Sequence, residues 1–202
     1  MRTESRPAAL LALVAAVFVW SAIGPYDRFT WVLEVFPAVI GAAVLIATYR
    51  RFRFSDLVYF LIAMHAIILM VGGHYTYARV PPFDWLKEVL HFSRNHYDRV
   101  GHFAQGFVPA MIAREVLLRT TPLRRGKMLF FLVVCVCLAV SAAYELLEWT
   151  GAELAGARAT DFLGTQGDPW DTQKDMALAL LGAASALLLL SRLHDRRLAA
   201  LP

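Results

Sequence analysis

The chain has 202 residues, of which 58% are hydrophobic and 18% are charged. A soluble domain with this composition and a positive mean hydropathy would aggregate, so the composition excludes a soluble globular protein and favours a membrane protein. The net charge of +4 does not indicate nucleic-acid binding, because the Lys and Arg residues cluster in short segments between apolar runs, as topology signals do.

Six apolar runs follow one another along the chain and predict an all-α membrane helical bundle that forms one domain over residues 1–202. The predicted spans are 7–24, 29–49, 55–77, 99–118, 128–150 and 172–191. The first run has the charge pattern of a signal peptide, but no convincing small-residue cleavage site precedes Pro25, which favours a retained helix.

Basic clusters orient the predicted spans. They lie at the N-terminus, at 50–53, at 119–127 and in the C-terminal tail, and six spans place all four on one side. Because Lys and Arg accumulate on the cytoplasmic side of short loops, both termini are predicted to be cytoplasmic. The five Trp residues then fall on the outer side, where the interface favours their amphipathic rings.

Two long outer connections complete the predicted architecture. Residues 82–94 carry apolar side chains at helical spacing with charged ones between them, which predicts an amphipathic helix lying in the interface. Residues 151–170 are rich in glycine and predict a structured turn or lid above the helix ends.

Ionisable residues near the outer ends of spans three to six are the strongest functional signal. A charged group within a span costs about 2.5–3.5 kcal/mol on insertion scales, so such groups are rare unless they pair or line a cavity. Where two of them lie on one helix, their spacing of three or four residues places them on the same face. The candidates in chain order are His74, Asp98, His102, Glu145, Glu148, Asp171 and Asp175.

Two imidazoles with several carboxylates are typical of a divalent-metal site, and zinc is the first candidate. The predicted metal ligands are His74, His102, Glu145, Glu148, Asp171 and Asp175, and the predicted catalytic residues are Asp98, Glu145 and Glu148. One alternative stays open, a metal-free ion-pair network in which Arg99, Arg158 or Lys174 neutralises the acids.

Two other ionisable positions are predicted to be structural. His65 lies in the middle of a span among apolar neighbours, which favours a core histidine bonded to a backbone carbonyl or a facing helix. Glu115, flanked by Arg114 and Arg119, is interpreted as the cytoplasmic end of span four.

Four segments, 72–78, 95–106, 144–149 and 162–176, resemble the YjdF family of bacterial inner-membrane proteins, and the likeness covers nearly the whole chain. It implies a multi-pass protein of the bacterial inner membrane and a fold, but no reaction. A fainter likeness is to VanZ-like membrane proteins, which place acids and a His similarly at helix ends. In that pattern Glu148 stands where Gln is expected and Ala179 where Asn is expected.

Three functions remain open from the sequence. The first is a metal-dependent hydrolase or transferase acting on a lipid or amphiphilic envelope substrate, which the outer depth of the polar cluster favours. The second is a small proton- or cation-coupled transporter, against which the chain shows no internal repeat. The third is a non-catalytic membrane scaffold or resistance factor. Membrane lipids are the expected partners in all three.

Overall fold

The computed structural model describes residues 5–155 and 166–201 and is all-helical over those ranges, which confirms the predicted class. The helices of those ranges are α1 (Ser5–Ala22), α2 (Arg28–Thr48), α3 (Asp56–Tyr75), α4 (Pro81–Val89), α5 (Tyr97–Thr120), α6 (Lys127–Ala155) and α7 (Asp171–Leu198), and a 3-10 turn at Tyr77–Arg79 precedes α4. Residues 151–155 of the predicted lid continue α6, and residues 156–165, which include Arg158, lie outside the described residues.

Four of these helices, α2, α3, α6 and α7, are long and apolar enough to cross a membrane. Helix α1 is apolar but shorter over Pro7–Ala22. Helix α5 has the length but carries buried polar side chains, and it packs against α3, α6 and α7, so protein rather than lipid surrounds those groups. Six spans with cytoplasmic termini therefore remain a prediction, while a multi-helix membrane architecture is established.

Helices α5 and α7 approach each other more closely than ordinary side chains would allow. A Cβ added to Gly106 would lie 1.8 Å from the carbonyl oxygen of Ala179, and one added to Gly182 would lie 2.1 Å from that of Phe103. Small residues allow this close backbone approach, as in many membrane helix pairs. The separation between the two helices is thereby set at this crossing.

Helix α4 covers the first part of the predicted amphipathic segment. It begins with a proline at its first position, which suits a helix start, and it ends at Val89. His91 follows with a φ of 53°, in the left-handed region that interrupts a helix. Trp85, Leu90 and Phe92 are exposed, so this segment presents an apolar surface to its surroundings.

The two ends of the bundle differ in their polar residues. We call the end where α3 and α6 finish and α5 and α7 begin the site end. We call the opposite end, which carries the basic loops at 50–53 and 119–127, the basic end. The main apolar core lies towards the basic end and contains buried residues from α3, α5, α6 and α7, among them Val58, Met111, Val133 and Leu187.

Candidate functional site

Three buried side chains meet where α5 and α7 begin: Asp98, His102 and Asp175. Nε2 of His102 lies 3.3 Å from Oδ1 of Asp98 and 3.9 Å from Oδ2 of Asp175. One potential ligand atom from each of the three residues lies within 4.8 Å of the other two. Because Asp98 and His102 are four residues apart, they share one face of α5, and Asp175 meets them from α7.

An arginine holds the second oxygen of each of these carboxylates. Arg94 donates to Oδ2 of Asp98 at 3.0 Å, and Arg99 donates to Oδ1 of Asp175. Hydrogen bonds between charged groups are stronger than neutral ones, so these contacts orient the carboxylates. Asp98 and Asp175 therefore each direct their other oxygen towards the same imidazole nitrogen.

The surroundings of His102 concentrate negative charge at Nε2. Its Nδ1 lies 3.0 Å from Oε1 of Gln105, and with the amide oxygen facing the ring Nδ1 carries a proton and donates it. Nε2 then faces two carboxylate oxygens, and these electron-rich atoms repel one another unless a cation lies among them. That cation is either a proton on Nε2 or a metal ion, so the geometry admits an ion pair or a metal site.

Asp171 has a different position from the three converging residues. Its Oδ1 accepts hydrogen bonds from both Arg94 and Arg99, each at 2.5 Å. Arg99 also donates to Oδ2 of Asp168 at 3.2 Å, and Lys174 donates to the same oxygen at 2.6 Å. Asp171 and Asp168 thus position the two arginines, and the arginines position the carboxylates beside His102.

Among the buried acids of the described residues, Glu145 has an oxygen that no protein donor engages. This oxygen, Oε1, lies 3.6 Å from Nδ1 of His102. Leaving a buried acceptor unsatisfied costs about 1–3 kcal/mol, unless water or a ligand supplies a donor. Oε1 of Glu145 is therefore open to a donor from outside the protein.

A cavity of about 130 Å³ adjoins the three converging residues. Its polar lining comprises Glu34, His65, Tyr77, Asp98, His102, Gln105, Tyr144 and Glu148. Tyr144 donates its hydroxyl to Glu34 at 3.2 Å, which links α6 to α2 across the cavity. This volume accommodates several water molecules, each of which occupies about 30 Å³ in the liquid, or a small polar group of a ligand.

The structure brings together only some of the predicted site residues. His102 and Asp175 converge with Asp98, while Glu145 and Glu148 lie beside them. His74 lies elsewhere: its Nδ1 is 3.0 Å from the carbonyl oxygen of Ser21, and its ring packs on Trp20 at a centroid distance of 4.5 Å.

Three residues that contribute to the site or to its cavity are not among the candidates predicted from the sequence. Glu34 is the one acidic residue within 29–49, and an acid inside an apolar run is itself a functional signal. Arg94 was predicted only as a polar residue of the amphipathic segment, and no sequence signal pairs it with residues of α7. His65, predicted to be a bonded core histidine, has a buried Nε2 without a hydrogen-bond partner and lines the cavity.

Comparison with known proteins places this chain among membrane proteins. Residues 6–196 match the family described as "Predicted membrane protein (DUF2238)". The chain is 53% identical over 182 residues to the inner membrane protein YjdF of Escherichia coli (strain K12), which covers 90% of this chain and 87% of that protein. No solved structure matches the chain.

Proposed function

The chain belongs to the YjdF (DUF2238) family of inner-membrane proteins, and from this premise we propose that it is a divalent-metal-dependent enzyme. The proposed reaction is hydrolysis or group transfer on a lipid or amphiphilic envelope substrate. Asp98, His102 and Asp175 are the proposed metal ligands. The membrane location narrows the range of possible substrates, because a molecule that already lies in the bilayer reaches a site within the bundle most directly.

The arrangement of the three ligand atoms carries this proposal. Zinc bonds of about 2.0–2.2 Å to nitrogen and oxygen place neighbouring tetrahedral ligands about 3.4 Å apart. The separations of 3.3 Å and 3.9 Å between Nε2 and the two carboxylate oxygens suit that geometry. The Gln105 contact on Nδ1 and the arginines on the outer oxygens are the second-layer partners that metal ligands usually have.

The chain also supplies groups for the chemistry beside the proposed ion. A divalent ion there supplies Lewis acidity, which polarises a carbonyl or phosphoryl oxygen and makes water a stronger nucleophile. We assign the role of general base to Glu145, because no protein donor engages its Oε1. Glu34, Tyr144 and Glu148 line the adjoining cavity, where they bind the polar part of the substrate.

Metal content of the detergent-purified protein tests the proposal. Elemental mass spectrometry is run on wild type, on His102→Ala and on His74→Ala as the matched control, since His74 contacts Ser21 and Trp20 instead. We expect stoichiometric metal in wild type and in the control, and loss in His102→Ala. Metal-free wild-type protein, or equal metal in all three, would overturn it.

An activity screen then separates an enzyme from a metal-binding scaffold. Long-chain carboxylic and phosphoric esters are offered to protein with its metal, to protein treated with a chelator, and to Glu145→Gln. Turnover is expected with the first preparation alone. Metal-loaded protein that turns over none of these esters would favour the scaffold or the cation-coupled transporter.

A further inference from the structure

A second and larger cavity lies in the basic-end half of the bundle, between α1, α2, α3 and α5. Its volume is about 450 Å³, within the range of roughly 300–1,000 Å³ that small-molecule sites occupy. Apolar residues such as Leu11, Pro37, Leu45 and Ala63 line nearly all of it. Its chemistry is therefore opposite to that of the polar cavity at the site end. We call it the apolar groove.

The apolar groove and the polar cavity adjoin each other. Pro37, His65 and Leu69 line both, so the boundary between them lies at these three residues. His65 contributes there the buried Nε2 that has no hydrogen-bond partner. An amphiphile lying across this boundary would place its polar group towards His102 and its apolar part towards the basic end.

The lining and the surroundings of the groove indicate its occupant. Its lining on α2 extends from Pro37 to Tyr49, about 18 Å at 1.5 Å per residue. The lining is apolar along that length, lies largely on helices that are apolar enough to cross a membrane, and ends at the polar cavity. An extended hydrocarbon chain with a polar group at one end, which the surrounding bilayer supplies, fits this arrangement.

We propose that the apolar groove holds the hydrocarbon chain of a lipid whose polar headgroup lies in the cavity beside Asp98 and His102. This inference rests on the proposed function, because it names the substrate class of the same site. Burial of apolar surface along the groove supplies affinity without specificity for the headgroup. The lining therefore selects long-chain lipids, and the polar cavity selects among their headgroups.

Gly41 offers a way to block the groove without disturbing the fold. A Cβ added there meets no atom within 4 Å, so a larger side chain has space to extend into the groove. Gly41→Phe is the blocking variant. Ala43→Phe, on the exposed side of the same helix, is the matched control with the same added ring.

Photo-labelling of the full chain in nanodiscs tests the inference. The probe is phosphatidylglycerol with a diazirine midway along one chain, and labelled peptides are mapped by mass spectrometry. We expect labels on groove-lining residues in the part of α2 that follows Pro37 and in α3 between Tyr59 and Leu69, strongly reduced in Gly41→Phe and retained in Ala43→Phe. Labels spread over the outer faces of α6 and α7, and unchanged in Gly41→Phe, would overturn the inference.

Metal content measured on the same samples keeps the two proposals apart. Groove labelling that Gly41→Phe abolishes, in protein without metal, supports the chain site and overturns the metal-dependent enzyme. Metal-loaded protein without groove labelling overturns the chain site alone.

Discussion

Two buried polar clusters lie at opposite ends of α5 and α7, and they are satisfied to different degrees. At the basic end, Glu115 accepts hydrogen bonds from the amide and hydroxyl of Ser55 at 2.9 and 2.7 Å and from Arg119 at 2.8 Å. Nε2 of His194 also lies 2.8 Å from Glu115. Every carboxylate oxygen of Glu115 is thus engaged within the protein.

The same cluster fixes the protonation of His194. Arg114 contacts its Nδ1 at 2.8 Å, and because a guanidinium can only donate, Nδ1 accepts and carries no proton. Nε2 therefore carries the proton and donates to Glu115, so His194 is neutral. Arg114 also donates to Asp195 at 2.7 Å. This network needs no further cation, and it joins α5 to α7 and to the start of α3.

At the site end, the same residue types leave atoms unsatisfied. Nε2 of His102 faces two carboxylate oxygens, one oxygen of Glu145 has no partner, and a cavity adjoins them. Buried polar networks that are fully satisfied rigidify a core, and partly satisfied ones are costly. The proposed function rests on this difference: in it, the basic end serves stability and the site end holds a ligand.

The largest loss of stability is expected from Glu115→Ala at the basic end. The substitution leaves His194, Arg119 and both donors of Ser55 without their acceptor, and breaking a buried ion pair in this way costs about 3–5 kcal/mol. Thermal unfolding in detergent measures the loss, with exposed Glu153→Ala as the control. A loss in Glu115→Ala no larger than in the control would remove the distinction between the two ends.

Gly106→Val should destabilise the protein next most. The new side chain meets the backbone of Ala179, and overpacking of this kind costs about 1–3 kcal/mol. Because the added side chain also pushes α5 and α7 apart, it should move Asp175 away from His102 and lower the metal content. Gly41→Ala, where an added Cβ meets nothing, is the control for helix glycine replacement. Unchanged unfolding temperature and metal content in Gly106→Val would contradict the close packing.

Asp175→Asn should separate ligand binding from stability. Arg99 keeps Asp171 and Asp168 as acceptors, so the free energy of unfolding should fall by about 1 kcal/mol or less. Metal affinity should fall by about tenfold or more, since the carboxylate of one proposed ligand becomes a neutral amide. Asp168→Asn is the control, because Asp168 is not one of the three converging residues. Equal metal content in the two variants would contradict the assignment of Asp175.

Glu145→Gln should change stability least. Its Oε1 has no hydrogen-bond partner to lose, and the amide of Gln keeps an oxygen for the hydrogen bond with Thr172, so the free energy of unfolding should fall by about 0.5 kcal/mol or less. A loss as large as that of Glu115→Ala would mean that Glu145 belongs to a structural network like the one at the basic end.

Local patterns in the sequence predict the helices and the end of the bundle where the acids gather. Apolar runs identified α2, α3, α6 and α7, and the spacing of Asp98 and His102 placed them on one face of α5. Such patterns do not reveal which face of each helix turns inwards. The sequence therefore predicts His74 as a ligand although it contacts α1, and it does not indicate Glu34 although Glu34 lines the cavity.

Contacts between segments that are distant in sequence are the second feature of the structure that local sequence patterns do not predict. Arg94 reaches Asp171 across 77 positions of the chain, and Glu115 reaches His194 across 79. The close approach at Gly106 brings α5 and α7 together between these two contacts, and a single glycine in an apolar run does not indicate its partner helix. Ion pairs predicted for Arg99 and Lys174 are present, with Asp168 and Asp175 as the acids, and they surround the converging atoms.

Anomalous diffraction from crystals grown with zinc would distinguish a metal site from a structural network at the site end. We expect one strong peak about 2.0–2.2 Å from Nε2 of His102, Oδ1 of Asp98 and Oδ2 of Asp175, and no peak at His194. Crystals without a peak at these atoms, in which Nε2 instead bonds directly to Asp98, would contradict this expectation and identify the site end as a second structural network.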